Sequence, residues 1–342
     1  MKKLAIILTI FTWLSCDSDQ VKENELNGNI NEPTAFIPEL PDRFPPIEVP
    51  DNNPMTIEGV ELGRMLFYDT RLDANGEQSC ATCHQQQYAF SAPNNDQHQI
   101  EVGIMPHFNL AWDRLYLWNG KVQGNIEDIM RFEVEEFFQT DLTAFNNISE
   151  YKTRFKQAYG IDEIKYENIA AALAQFERSL ISGNSKFDQY LRKEVQLSEA
   201  EYRGFNLFFS ESADCFHCHG TVLFKDNLMH NNGLNDVFEG ADQGHFLFTN
   251  DLVDMGKFKT PSLRNIAVTA PYMHDNRFAT LKEVVDFYSD DVKFTEFSDP
   301  LMNHEGGISL TASEREDLVA FLYTLTDSTF ITNEAFSNPF EN

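Results

Sequence analysis

Two segments carry residues whose spacing implies chemistry: Cys80-Ala81-Thr82-Cys83-His84 and Cys215-Phe216-His217-Cys218-His219. Cys-x-x-Cys-His is the spacing that attaches c-type haem. Two thiolates form thioethers to the porphyrin vinyls, and the adjacent histidine reaches the iron. Two such haems serve electron transfer, peroxide chemistry or both. A single Cys-x-x-Cys could be a redox dithiol or half of a zinc site. Four cysteines with two histidines could also ligate one zinc, but that leaves the repeated trailing histidine unexplained. The fifth cysteine, Cys16, falls in the leader. The cofactors expected are therefore two covalently bound haems c.

The leader has Lys2 and Lys3, an apolar run from Leu4 to Leu14, then Ser15-Cys16-Asp17. That is a charged region, a hydrophobic region too short to span a bilayer, and a small residue before a cleavage point. A cysteine after Ser15 reads as a lipoprotein signal with a lipid anchor at Cys16. Trp13 is unusual upstream of such a cysteine and leaves ordinary secretion open. Either way the expected location is the periplasm or cell envelope, where bacterial haem c is attached.

A formal net charge of −28 argues against nucleic acid as a partner and against electrostatic docking on anionic lipid, so any membrane contact would go through the anchor. The same charge favours a basic cytochrome or another cationic donor, although a solvated acidic surface explains most of it equally well. Thirty phenylalanines suit the flat apolar walls that haem requires.

The positioning elements read as mainly α, arranged as two cytochrome c-like haem domains with long loops. Residues 17–50 are rich in Asn, Glu, Asp and Pro and read as an acidic flexible tether after the signal of residues 1–16. An internal repeat follows. Gly63-Arg-Met-Leu-Phe67 precedes the first motif and Gly204-Phe-Asn-Leu-Phe208 the second, each a helical Gly-x-x-x-Phe step beside a haem. The N-terminal domain is placed at 51–160, the C-terminal domain at 161–330 and a tail at 331–342. Ile169, Leu173, Phe176 and Leu180 share a helical face. Ser198 with Glu201 and Thr311 with Glu314 form capping boxes, the second opening a helix with Leu318, Phe321, Leu322 and Leu325 on one face.

Between Leu62 and Leu325 the chain resembles the bacterial dihaem cytochrome c peroxidases and their relative MauG. Asn168–Leu191 (NIAAALAQFERSLISGNSKFDQYL), Phe258–Asn265 (FKTPSLRN) and Thr269–Arg277 (TAPYMHDNR) carry the resemblance. It implies that His84 and His219 are proximal iron ligands and that the N-terminal haem meets peroxide. The family's second ligand to the C-terminal haem lies fourteen residues after the histidine of P-Y-x-H. From His274 this position is Tyr288, the MauG type of ligation, with Met273 or Met302 as alternatives. A phenolate favours ferric iron, where methionine raises the potential. Trp118 falls where the family has an inter-haem tryptophan, whereas Trp112 reads as structural.

The distal segment departs from the family. Its glutamate, expected to move a proton, would fall at Phe138 or Gln139, which brings Gln139, Glu135 or Glu136 into consideration. The usual proline falls near Glu133, and His98 or His107 could instead cap the iron. The resemblance also implies Ca2+ held by the carbonyls of Thr269 and Pro271, although Gly103 stands where the family has an asparagine ligand. Arg264 and His274 match residues near haem propionates. The surface tryptophan through which MauG oxidises its protein substrate is replaced by Ala213. The function implied is reduction of hydrogen peroxide, with electrons from a protein donor or from an oxidisable protein partner. The alternative is a non-catalytic electron-transfer cytochrome.

Overall fold

The computed structural model describes residues 32–93, 102–302 and 306–341. The leader with Cys16, and His98, lie outside the described residues. Residues 33–342 form one compact unit, and its described elements are mostly helices joined by long loops. The only described ladders of more than an isolated bridge are two-residue antiparallel pairs, Leu115–Tyr116 with Val122–Gln123 and Met229–His230 with Phe258–Lys259.

Two helix crossings repeat the same design. Helix Ile57–Tyr68 packs on helix Tyr166–Ser179, and helix Glu199–Phe208 packs on helix Ala312–Tyr323. In the first crossing a Cβ on Gly63 would overlap the Ala172 carbonyl and come within 2.9 Å of the Phe176 Cβ. In the second, a Cβ on Gly204 would overlap the Asp317 carbonyl and come within 2.9 Å of the Phe321 Cβ. Glycine lets each pair of axes approach closely, so the Gly-x-x-x-Phe steps, expected beside a haem, also serve the helix crossings. Each crossing anchors its own hydrophobic cluster. One contains Leu62, Phe67, Phe90, Phe138, Phe176 and Phe330; the other contains Phe187, Phe208, Phe224, Leu318, Phe321 and Leu325. The boxes at Ser198 and Thr311 form as expected, with Glu201 and Glu314 accepting from the cap backbone at 2.7 and 2.9 Å.

The expected flexible tether and the C-terminal tail both lie against this body where they are described. Within the supposed tether, Ala35 bridges to Thr56, and Phe44 is buried edge-on to Trp112, whose indole donates to the Pro45 carbonyl at 3.0 Å. In the supposed tail, the Phe336 carbonyl accepts from Tyr68 at 2.7 Å and the Ser337 carbonyl from Arg64 at 2.6 Å. A few apolar residues spaced among prolines and acids are enough to dock both segments, and composition alone does not show that.

Candidate active site

Each Cys-x-x-Cys-His motif sits on a short helical turn, Cys80–Cys83 and Phe216–His219, just after a crossing helix. The two histidines are oriented alike. His84 Nδ1 donates to the Phe90 carbonyl at 2.8 Å, and His219 Nδ1 donates to the Phe224 carbonyl at 2.9 Å. That leaves each Nε2 with its lone pair for iron. Burial lowers the pKa of both imidazoles, which favours the neutral form a ligand needs. All four motif cysteines are unpaired. Among the described residues, no group of three ligating side chains within 4.8 Å combines the two motifs, so a shared zinc site is not assembled.

The C-terminal motif opens onto a cavity with a largely apolar lining. Cys215, Cys218 and His219 form part of the wall, Leu263, Val285 and Leu318 supply apolar surface, and Tyr288, Met273 and Met302 all face in. Of these three, Tyr288 is held by a donor: the Asn232 amide reaches its oxygen at 3.0 Å and the Met273 sulfur at 3.7 Å. Burial pushes the Tyr288 phenol up to about 12 while Asn232 pulls the other way, so the proton leaves only if a cation takes its place. On one side of the motif, Asp226 and Asp299 clamp both nitrogens of His230 at 2.7 and 2.6 Å, and Asp226, the Cys218 thiol and Asp299 together raise its pKa.

A second charged group borders this cavity. Lys225 and Lys259 both reach Asp113, and all three are almost fully buried. Against burial, which would raise it, the two ammoniums hold Asp113 below the ordinary carboxylate range. Burial pushes Lys225 down to about 8, with Asp113 opposing. Two cations against one anion leave one positive charge uncompensated, and Lys259 lines the cavity. Haem brings carboxylate propionates, so the donor set, the apolar walls and the surplus charge all fit that group.

Trp118 also stands on the cavity wall, its indole donating to the Gly103 carbonyl at 2.8 Å, while the preceding Leu117 packs on the first cluster. Thr269, Pro271 and Gly103 line the same cavity. Asn276 brings a side-chain oxygen to the position where Gly103 lacks one: its Oδ1 lies 2.7 Å from where a Cβ on Gly103 would stand. His274 also lines the cavity, and its Nε2 donates to Asp242 at 2.8 Å. Arg264 does not face the cavity. Its guanidinium grips Asp188 with two bonds of 2.8 and 2.9 Å and donates to the Val222 carbonyl, which uses the donors a propionate would need. Ala213 is buried near Cys215.

The N-terminal motif differs most from expectation. Glu136 and Gln139 are exposed, Gln139 in a left-handed conformation, and neither turns toward the cysteines. Glu133 lies within their electrostatic reach: burial raises both thiols most, with Glu177 and then Glu133 adding at Cys80 and Glu133 at Cys83. Against burial, which lowers it, Glu177 and, behind it, Glu133 raise the neighbouring His107. Burial pushes the Glu133 carboxyl up to about 7, against the pull of His107. The cause is local. Helix Ile126–Phe132 runs into a π-helical turn over Glu133–Phe137, which adds a residue to the turn and shifts every later side chain around the axis. Glu136 lies within that turn and Gln139 beyond it, so a fixed offset counted from Trp118 misplaces both.

His107, expected as an alternative cap of the iron, lies against His84. Its ring stacks flat on the His84 ring at 3.5 Å, and its Nδ1 donates to buried Glu177 at 2.9 Å. Glu177 Oε2 has no hydrogen-bond partner. Neither the His107–Glu177 pair nor Glu133 stood out in the sequence as a partner of His84, because their contacts cross tens of residues.

Comparison with known proteins agrees with this geometry. The family described as Di-haem cytochrome c peroxidase matches residues 57–196. The methylamine utilization protein MauG of Methylorubrum extorquens is 35% identical over 293 residues, covering 81% of this chain and 80% of MauG. Cytochrome c551 peroxidase of Nitrosomonas europaea is 28% identical over 286 residues, covering 80% of this chain and 81% of that protein. Among solved structures, a MauG-like protein associated with microbial copper homeostasis is 35% identical with a TM-score of 0.83, covering 90% of this chain and 100% of its own. With two matched haem motifs on a two-crossing helical fold, the chain belongs to the dihaem cytochrome c peroxidase/MauG family of haem enzymes.

Proposed function

We propose that this chain reduces hydrogen peroxide at a haem c bound through Cys80, Cys83 and His84. A second haem c, bound through Cys215, Cys218 and His219 and ligated by Tyr288, would hold or relay the electrons. The observation that carries this reading is the difference between two otherwise matched sites: one places the titratable Glu133 beside its cysteines, the other faces Tyr288. Haem supplies the redox-active iron; the chain supplies proton transfer and orientation. Reducing peroxide to two waters consumes two electrons and two protons. A carboxyl whose pKa lies near 7 both accepts and returns a proton at neutral pH. Trp118, on the wall of the C-terminal cavity, is the side chain suited to pass electrons between the sites.

Electrons come from a protein donor or from an oxidisable protein partner. Ala213 removes the surface tryptophan that MauG uses, so a partner here needs another entry point. The haem chemistry implies a periplasmic or envelope location, with Cys16 as the lipid anchor. Ca2+ would bind the carbonyls of Thr269 and Pro271, with Asn276 giving the side-chain oxygen that Gly103 lacks.

The test is optical and EPR spectroscopy of the purified ferric protein before and after one equivalent of hydrogen peroxide. We expect one high-spin haem whose signal is lost on reaction, and one low-spin haem without a methionine-ligand band. Two low-spin, peroxide-inert haems in both the ferric and half-reduced protein would overturn the proposal and leave an electron carrier.

A further inference from the structure

Sixteen large hydrophobic side chains stand exposed among the described residues, and four of them fall within seven positions: Leu247, Phe248, Leu252 and Val253. Their exposures run from 41% to 61%. The helical turns Phe246–Thr249 and Leu252–Asp254 pack on each other, so the four side chains form one patch rather than scattered exceptions. The segment is firmly held. His245 Nδ1 donates to the Asn119 carbonyl at 2.7 Å and its backbone N–H to the Lys257 carbonyl at 2.8 Å. Two residues on, the Lys259 N–H donates to the Trp118 carbonyl at 2.8 Å. The patch is thus bonded directly to the loop that carries Trp118.

Charge selects the occupant. Between residues 231 and 257 there are five carboxylates, on Asp236, Glu239, Asp242, Asp251 and Asp254, and Lys257 is the one lysine or arginine. Lys257 is already engaged by Asp254 at 3.4 Å. A second copy of this chain would bring the same acidic surroundings to face them, and an anionic membrane would likewise be repelled. A protein with lysines around an apolar centre complements both the patch and its acids.

We propose that the Leu247–Val253 face is the docking surface for a basic redox protein that exchanges electrons through the Trp118 loop. The proposal rests on the peroxidase reading for its purpose, but docking can be tested without turnover. Isothermal titration of the full-length dihaem protein with ferric mitochondrial cytochrome c, whose haem edge is ringed by lysines, measures binding at low ionic strength. Two double variants, Leu252→Ser with Val253→Ser and Glu239→Lys with Asp251→Lys, are each expected to weaken binding by at least about ten-fold with unchanged haem spectra. Absence of binding by the unmodified protein, or undiminished affinity in either variant, would overturn the proposal. So would a dimer in sedimentation that the serine variant dissolves. Peroxide added to parallel samples holding the ferrous cytochrome separates the two readings: a cytochrome that binds at this face but is not oxidised to the ferric form leaves docking standing and removes the peroxidase assignment.

Discussion

Replacing Asp113 with alanine tests how the C-terminal site is held. Asp113, Lys225 and Lys259 are 1%, 2% and 4% exposed, so removing the carboxylate strands two buried ammoniums. Breaking a buried pair in this way costs about 3–5 kcal/mol. At roughly 2.1 cal/mol/K of unfolding entropy per residue, a unit of this size loses about 1.5 °C per kcal/mol, so Tm should fall by about 5–8 °C. The sign of the pH dependence follows from Lys225, already pushed down to about 8 in the folded protein. Without Asp113 its folded pKa falls further. From that lower value up to the unfolded value near 10.5, the unfolded chain binds the proton that the folded chain does not, so stability rises with pH. The variant's deficit should therefore be smaller at pH 10 than at pH 7. Thermal unfolding followed by far-UV circular dichroism and Soret absorbance at the two pH values measures both quantities. A Tm within 1 °C of the parent, or a deficit that grows on raising the pH, would refute the idea that the triad is a buried charge cluster.

Three further outcomes follow from the sites. Glu133→Gln should lower kcat/KM for peroxide by about 10²–10⁴-fold, and should abolish the rise in parent activity as pH passes about 7 and the carboxylate form accumulates. Stopped-flow across pH 5–9 measures this, and an unchanged profile would remove Glu133 from proton transfer. Tyr288→Met should raise the potential of the C-terminal haem and introduce a methionine-ligand band; spectroelectrochemistry showing neither would assign the ligand elsewhere. Gly63→Ala and Gly204→Ala should each cost about 1–3 kcal/mol through overpacking at the crossings, measured by denaturant unfolding, whereas Gly160→Ala, with open space around it and φ +68°, should cost only the roughly 1 kcal/mol of a left-handed backbone.

Local features could be read from the chain because their partners are close in sequence. The capping boxes at Ser198 and Thr311, the Gly-x-x-x-Phe steps and the two haem motifs each fit within a few residues. What could not be read depends on distance or on a change of helical pitch. Arg264 finds Asp188, Lys225 finds Asp113 and His107 finds Glu177 across gaps of 76, 112 and 70 residues, and no periodicity encodes such pairings. The carboxyl in electrostatic reach of the cysteines is Glu133, at the start of the π-turn over Glu133–Phe137, three positions before the expected Glu136. Phe44 docks beneath the Arg264 guanidinium, 4.8 Å from its ring centre, although its sequence surroundings look unfolded.

Phe330 packs against Phe90 and Phe108 in the first cluster, and the Phe90 carbonyl is the group that orients His84. The orientation of His84 therefore rests on a side chain 246 positions away, and a cavity opened at Phe330 would be felt at an imidazole it does not touch.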